Sequence, residues 1–190
     1  MKIPEAVKNL KLCWSFRNYK QKVIDCIEIT EEKEFYIYDD EKQKCIIISS
    51  DSNRDKACKV INSSGNEVVV LAIDHKLIDN RKGGIADGAV FNMSDFHFVE
   101  FKTNAVCQSV ISVDETYTKA MDQLISSINL FTTTLNKEKI DFMKKVNVEC
   151  HIIVSTVFPR NNAVEMTKSL FFAQQTNGIP LSFENEIILI

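Results

Sequence analysis

Glycine and proline are scarce, with five and three in 190 residues. The chain accordingly has no flexible linker, no low-complexity tract and no fibrous pattern. No internal repeat divides it. Paired cysteines are missing too. Cys13, Cys26, Cys45, Cys58, Cys107 and Cys150 are scattered, with no CxxC and no Cys/His pair at zinc spacing; this predicts free thiols in a cytoplasmic protein. Met1-Lys2-Ile3-Pro4-Glu5 lacks the apolar run of a leader, and no apolar run is long enough for a membrane span, so no membrane partner is expected. Nor is positive charge in excess. Twenty-three Lys and Arg stand against 26 Asp and Glu, a net charge of −3, so any nucleic-acid contact must come from a local cluster.

What is present is a globular composition, 45% hydrophobic and 26% charged. A chain of this length forms one domain and buries roughly two-thirds to three-quarters of its unfolded surface. Residues 1–50 read as an N-terminal elaboration, 51–157 as a regular unit, and 158–190 as a closing helix and strand. Val7, Leu10 and Trp14 have helical spacing, and Phe35–Tyr38 with Cys45–Ile48 predict a hairpin. Asp51 or Ser52 caps an expected helix through Ala57, Val60 and Ile61, ended by Gly65. Three strands follow, 67–74, 85–91 and 96–102. A helix over 114–135 carries Ala120, Leu124, Ile128 and Phe131 on one stripe, with Asp114 and Glu115 at its positive end. A buried strand over 148–157, a helix over 163–175 and a terminal strand over 187–190 complete an α/β fold of core order αβββαβ.

The richest stretch is Ile85-Ala86-Asp87-Gly88-Ala89-Val90-Phe91, then Phe96-His97-Phe98-Val99-Glu100-Phe101-Lys102. Strands this apolar belong in a core, where a carboxylate is costly unless compensated. As an antiparallel meander, a turn at Met93-Ser94 sets Asp87 opposite Glu100, and a turn near Asn80-Arg81 sets Asp74 opposite Asp87. Lys102 shares the Glu100 face by the period-two rule, while Val99 and Phe101 point into a core. Three converging carboxylates repel one another and call for a cation. Oxygen ligands favour Mg²⁺ or Mn²⁺ over zinc. Burial and the neighbouring acids pull the Lys102 ammonium in opposite directions.

Asp87, followed thirteen residues on by Glu100-Phe101-Lys102 in an αβββαβ order, resembles the PD-(D/E)XK nuclease superfamily over about 51–157. The resemblance implies a restriction-endonuclease-like core, a mixed central sheet flanked by helices, and a Mg²⁺- or Mn²⁺-dependent nuclease acting on DNA. It assigns metal ligation to Asp87 and Glu100, and activation of water and stabilisation of phosphate charge to Lys102. Gln123 is similar to the glutamine that several branches place on the following helix. Two departures stand out. Ala86 replaces the family proline, and the first helix offers only Asp51 and Asp55 where the family often has a glutamate. Asp74 takes the third-ligand position by its place on the sheet. Lys76, Arg81 and Lys82, beside His75 on the connecting loop, are the expected phosphate contacts.

Plainer readings exist for each residue. Asp87-Gly88 is also a turn pair, Glu100 and Lys102 also suit a solvated edge strand, and Gln123 also suits a solvent-facing helix position. His75, His97 and His151 have no mutual spacing that suggests a metal site, so a structural role is expected for them. Leu170-Phe171-Phe172 and the Ile187–Ile190 tail read as core, with a partner-binding surface as the alternative. Two other functions remain: a non-catalytic interaction module or subunit that keeps the nuclease-like fold, and an RNA-directed nuclease. Whether a homodimer or a partner protein delivers the chain to its target stays open.

Overall fold

The computed structural model describes residues 2–40, 43, 45–49, 55–78, 84–106 and 109–190. Among the described residues ten strands form two mixed sheets: β1 Ile27–Thr30, β2 Glu34–Asp40, β3 Cys45–Ser49, β4 Cys58–Asn62, β5 Val68–Ala72, β6 Gly88–Phe91, β7 Asp95–Lys102, β8 Asn147–Val154, β9 Leu181–Ser182 and β10 Glu186–Leu189. The larger sheet runs β1-β5-β6-β7-β8-β9 and the smaller runs β10-β4-β2-β3. In the larger, β1, β5, β6 and β7 are antiparallel neighbours, whereas β8 lies parallel to β7 and β9 parallel to β8. Helices are α1 Glu5–Asn9, α2 Leu12–Ser15, α3 Val110–Lys137, α4 Phe142–Lys145 and α5 Asn162–Gln175.

Alternation along the strands sorts the core into two layers. Val69, Leu71, Ala89, Phe91, Phe96, Phe98, Cys150 and Ile152 pack against the helices, with Leu124, Ile128 and Phe131 of α3. Their neighbours Val68, Val70, Val90, Val99, Phe101 and Ile153 face the smaller sheet, against Phe35, Ile37, Ile46 and Val60. A strand apolar at every position is what burial on both faces requires. Gly88 makes the close approach of the sheets feasible: a Cβ there would strike the Ile46 side chain and lie 2.5 Å from the Leu71 carbonyl oxygen. Gly88 therefore opens the strand, which is shorter than the 85–91 expected, and Asp87 lies at the bend just before it.

Several expectations are corrected. Residues 58–62 form β4, not a helix; Asp51 and Ser52, the expected caps, lie outside the described residues. Cys58, Val60 and Asn62 are buried while Lys59 and Ile61 are less so, a period-two pattern that overrides the i, i+3, i+4 coincidence. The long helix starts at Val110, where Ser109 and Ser112 form a reciprocal capping box, so Asp114 and Glu115 lie beyond its first turn. The strand expected to reach Val157 ends at Val154, and Val157 is exposed. Of Leu170-Phe171-Phe172 only Phe172 is core. Trp14 is also exposed; it stacks under Arg17 and donates to Glu138 Oε2 at 2.8 Å. The strands described before residue 50 join both sheets, β1 pairing with β5 and the β2–β3 hairpin building the smaller sheet.

Candidate functional site

β6 and β7 pair with Gly88 opposite Val99, and one further step of that register sets Asp87 opposite Glu100. At this point backbone pairing gives way to side chains. Glu100 Oε2 accepts from the Asp87 amide at 3.2 Å, and Asp87 Oδ2 accepts from the Phe101 amide at 2.6 Å. Each carboxylate thus holds the opposing strand. Lys102, on the same face, donates from Nζ to Glu100 Oε1 and, at 2.9 Å, to Gln123 Oε1.

Gln123 reaches this corner from α3, and its Nε2 donates to the Ile85 carbonyl at 3.2 Å. One turn along, the fully buried Ser127 donates to the Gln123 carbonyl at 2.9 Å and accepts from the Ala86 amide at 2.8 Å. Gly84 completes the fit. It has φ +79°, and a Cβ on it would lie 2.8 Å from Gln123 Cγ. Two features therefore demand glycine at that position.

Burial decides the electrostatics. Glu100 is 1% exposed and the Lys102 side chain 17%, whereas Asp87 is half-buried. Desolvation pushes Asp87 up to about 7; the Phe101 amide pulls it back, Asp39 pushes up, Lys102 pulls down and Asp74 pushes up. Glu100 is raised well above the usual carboxylate range by burial and then by Asp87, against the pull of Lys102. Among the described residues the Lys102 ammonium is the cation that acts on both acids, and it does not offset them. A divalent cation would, and the donor set of carboxylate oxygens is the hard kind that Mg²⁺ and Mn²⁺ take. Asp87 engages Oδ2 with the Phe101 amide, so Oδ1 is the oxygen that this bond leaves for a ligand.

The structure thus brings together Asp87, Glu100, Lys102 and Gln123. Asp74 sits one step off its expected register. Ala72 pairs with Gly88, and the amides of Ile73 and Asp74 both reach the Asp87 carbonyl, at 2.9 and 3.3 Å. It is Ile73 that lies opposite Asp87, because β5 gives way to a turn there. Asp74 Oδ1 accepts from the His75 amide, and its charge still acts on Asp87. Lys76 lies beside the Cys26 and Cys45 thiols, whose raised values its charge partly offsets. Arg81 and Lys82 lie outside the described residues. Asp55 accepts from Thr156 Oγ1 at 3.0 Å, in the segment after β8.

Three contributors escaped the sequence reading. Asp39 is the charge acting most strongly on Asp87, yet in sequence it belongs to a charged turn; only the packing of the smaller sheet carries it there. Ser127 had one available signal, its i+4 spacing from Gln123 on the same helix face. Gly84 had none beyond being a glycine. Sequence spacing does not link His97 and His151, yet they meet across β7 and β8, with Nδ1 and Nε2 2.9 Å apart and Glu149 beside them. Parallel pairing joins residues far apart in the chain, which spacing does not reveal. No family model matches this chain, and neither does any curated protein or solved structure.

Proposed function

We propose that the chain is a metal-dependent nuclease that hydrolyses phosphodiester bonds of DNA, on a restriction-endonuclease-like core. The observation that carries this reading is the corner itself: the buried Glu100 and the half-buried Asp87 face each other where two strands meet, and the Lys102 ammonium joins Glu100 to the helix glutamine. The meander β5-β6-β7, followed by α3 and the parallel β8, supports the core assignment. The departures are that residues 58–62 are a strand and that the smaller sheet, not a helix, covers the second face.

Asp87 and Glu100 would hold the ion, which when bound neutralises phosphate charge and acidifies water. Lys102 donates to a non-bridging phosphate oxygen as negative charge grows there, and Gln123 fixes the direction of its Nζ. Hydrolysis forms a bond from water oxygen to phosphorus, breaks the bond to the leaving oxygen and returns the water proton to solvent or to that oxygen. A rival reading, an interaction module without catalysis, is favoured by the completeness of the Lys102–Glu100–Gln123 network, in which each side chain already has a partner.

The test is cleavage of labelled DNA and RNA in Mg²⁺ by the wild type and by Lys102→Ala, with thermal unfolding of both. The expected result is Mg²⁺-dependent DNA cleavage that falls at least about 100-fold in the variant, at nearly unchanged stability. Cleavage at the wild-type rate by the variant contradicts the assignment. No cleavage of either polymer by the wild type favours the interaction module, and cleavage of RNA alone redirects the substrate.

A further inference from the structure

On the opposite face of β7 from Glu100, and independent of that site, we infer a second metal centre: His97, Glu149 and His151 form a binding site for Zn²⁺ or a closely related transition-metal ion. The geometry comes from the parallel pairing of β7 with β8, which sets His97 beside Glu149 and Val99 beside His151. Glu149 and His151 are two residues apart on one strand and therefore share a face. His97 is on that face too, since it pairs with Glu149.

Three ligand atoms converge. His97 Nδ1 lies 2.9 Å from His151 Nε2, and Glu149 Oε2 lies 3.8 Å from the first and 4.0 Å from the second. Bonds of about 2.0–2.2 Å in tetrahedral directions set ligand atoms about 3.3–3.5 Å apart. The observed triangle brackets that range. Binding needs the two rings to part by about half an ångström and the carboxylate to close by a similar amount, on the scale of the tolerances for such sites. Glu149 has the freedom to do so, because its side chain is 44% exposed, while the imidazoles are fixed by burial at 3% and 4%.

Two buried imidazoles facing nitrogen to nitrogen share a single N–H, one ring donating and the other accepting, and a metal ion would replace that one bond with two. Burial also holds both below their ordinary values, His97 to about 4 and His151 to about 3. They are uncharged at neutral pH, which is the form that ligates. The Glu149 carboxylate gains little from neutral rings, whereas a cation uses all three groups at once. Among the described residues His151 Nδ1 is buried without a hydrogen-bond partner, so no acceptor on that side of the ring opposes ligation through Nε2.

The ligand set selects the ion. Two imidazoles and one carboxylate suit Zn²⁺, Co²⁺ and their neighbours, and they disfavour Mg²⁺, which takes oxygen. Three protein ligands leave a fourth position for water at the half-exposed Glu149 side. Metal-bound histidines usually donate their other ring nitrogen to a fixed acceptor, and omitting such a partner costs 10–100-fold in affinity. With no partner for His151 Nδ1 among the described residues, the site is exchangeable, in contrast to a permanent structural zinc.

The test is titration of metal-stripped protein with Co²⁺ at neutral pH, followed by visible absorption and then displacement by Zn²⁺. A visible d–d band saturating at one equivalent and bleached by Zn²⁺ is expected. Glu149→Gln, a half-exposed change that leaves the fold intact, should weaken binding at least about tenfold. His97→Gln should abolish it, and Asp87→Asn should leave it unchanged. The inference is overturned if the wild type binds no Co²⁺, or if Glu149→Gln binds as the wild type does. An intense near-ultraviolet thiolate band, or loss of binding in Asp87→Asn, also overturns it by placing the ion elsewhere.

Discussion

Asp87 is where charge and burial conflict most openly. The folded chain holds its carboxyl at about 7, while the unfolded chain releases the proton in the ordinary range near 4. Between those values the folded state binds the additional proton, so stability is present at low pH and is lost as pH rises through about 7. In full, a shift of that size is worth about 4 kcal/mol at pH 8, and partial exposure trims it to about 2–3 kcal/mol. Asp87→Asn keeps an oxygen for the Phe101 amide and removes the charge. Denaturant unfolding without divalent cations should find the variant more stable than wild type at pH 8, by about that amount, with the gap closing near pH 4. A variant less stable at both pH values would show that the carboxylate costs the fold nothing. The two apolar runs Ala86–Phe91 and Phe96–Lys102 made this residue legible in the sequence, because an acid inside such runs has few places to go. Asp39 was illegible for the opposite reason: its influence comes from a different sheet.

Strands were easier to read than the helix before them. The β2–β3 hairpin, the β5-β6-β7 meander, α3 and α5 all follow from hydrophobic period and capping residues. β4 was misread because Ala57, Val60 and Ile61 fit a helical stripe by chance, and five residues are too few for period alone to decide. The Asp74 register failed because a bend after Ala72 changes which residue meets Asp87, and alternation carries no information about where a strand stops. At this scale the joint between α3 and the segment 84–87 is the critical one. Gln123 and Ser127 bind the Ile85 carbonyl and the Ala86 amide, and Gly84 makes room for Gln123. Gly84→Ala forces both a strained φ and a contact with Gln123, so it should cost about 1–3 kcal/mol of stability. It should also lower the proposed DNA cleavage by more than its stability loss explains, by displacing the partner of Lys102. Paired measurements of unfolding and cleavage check this; unchanged activity would remove Gln123 from any positioning role.

At the scale of the whole molecule, the larger sheet separates two polar centres on the faces of the same strand. Toward the helices lie Asp87, Glu100 and Lys102, oxygen-rich and joined to α3; toward the smaller sheet lie His97, Glu149 and His151. β7 carries residues of both, and each centre demands burial that its strand partners supply. Among the described residues no helix is long and apolar enough to cross a membrane. Their different donor atoms should sort ions by chemistry, the hard ion to one face and the borderline ion to the other.

Crystals soaked in Mn²⁺ and measured for anomalous scattering test the central claim most directly. An anomalous peak between the Asp87 and Glu100 carboxylates, absent from crystals of Glu100→Gln, is the predicted result. A map with no peak there, or with manganese only at His97, Glu149 and His151, would contradict the assignment of Asp87 and Glu100 as ligands.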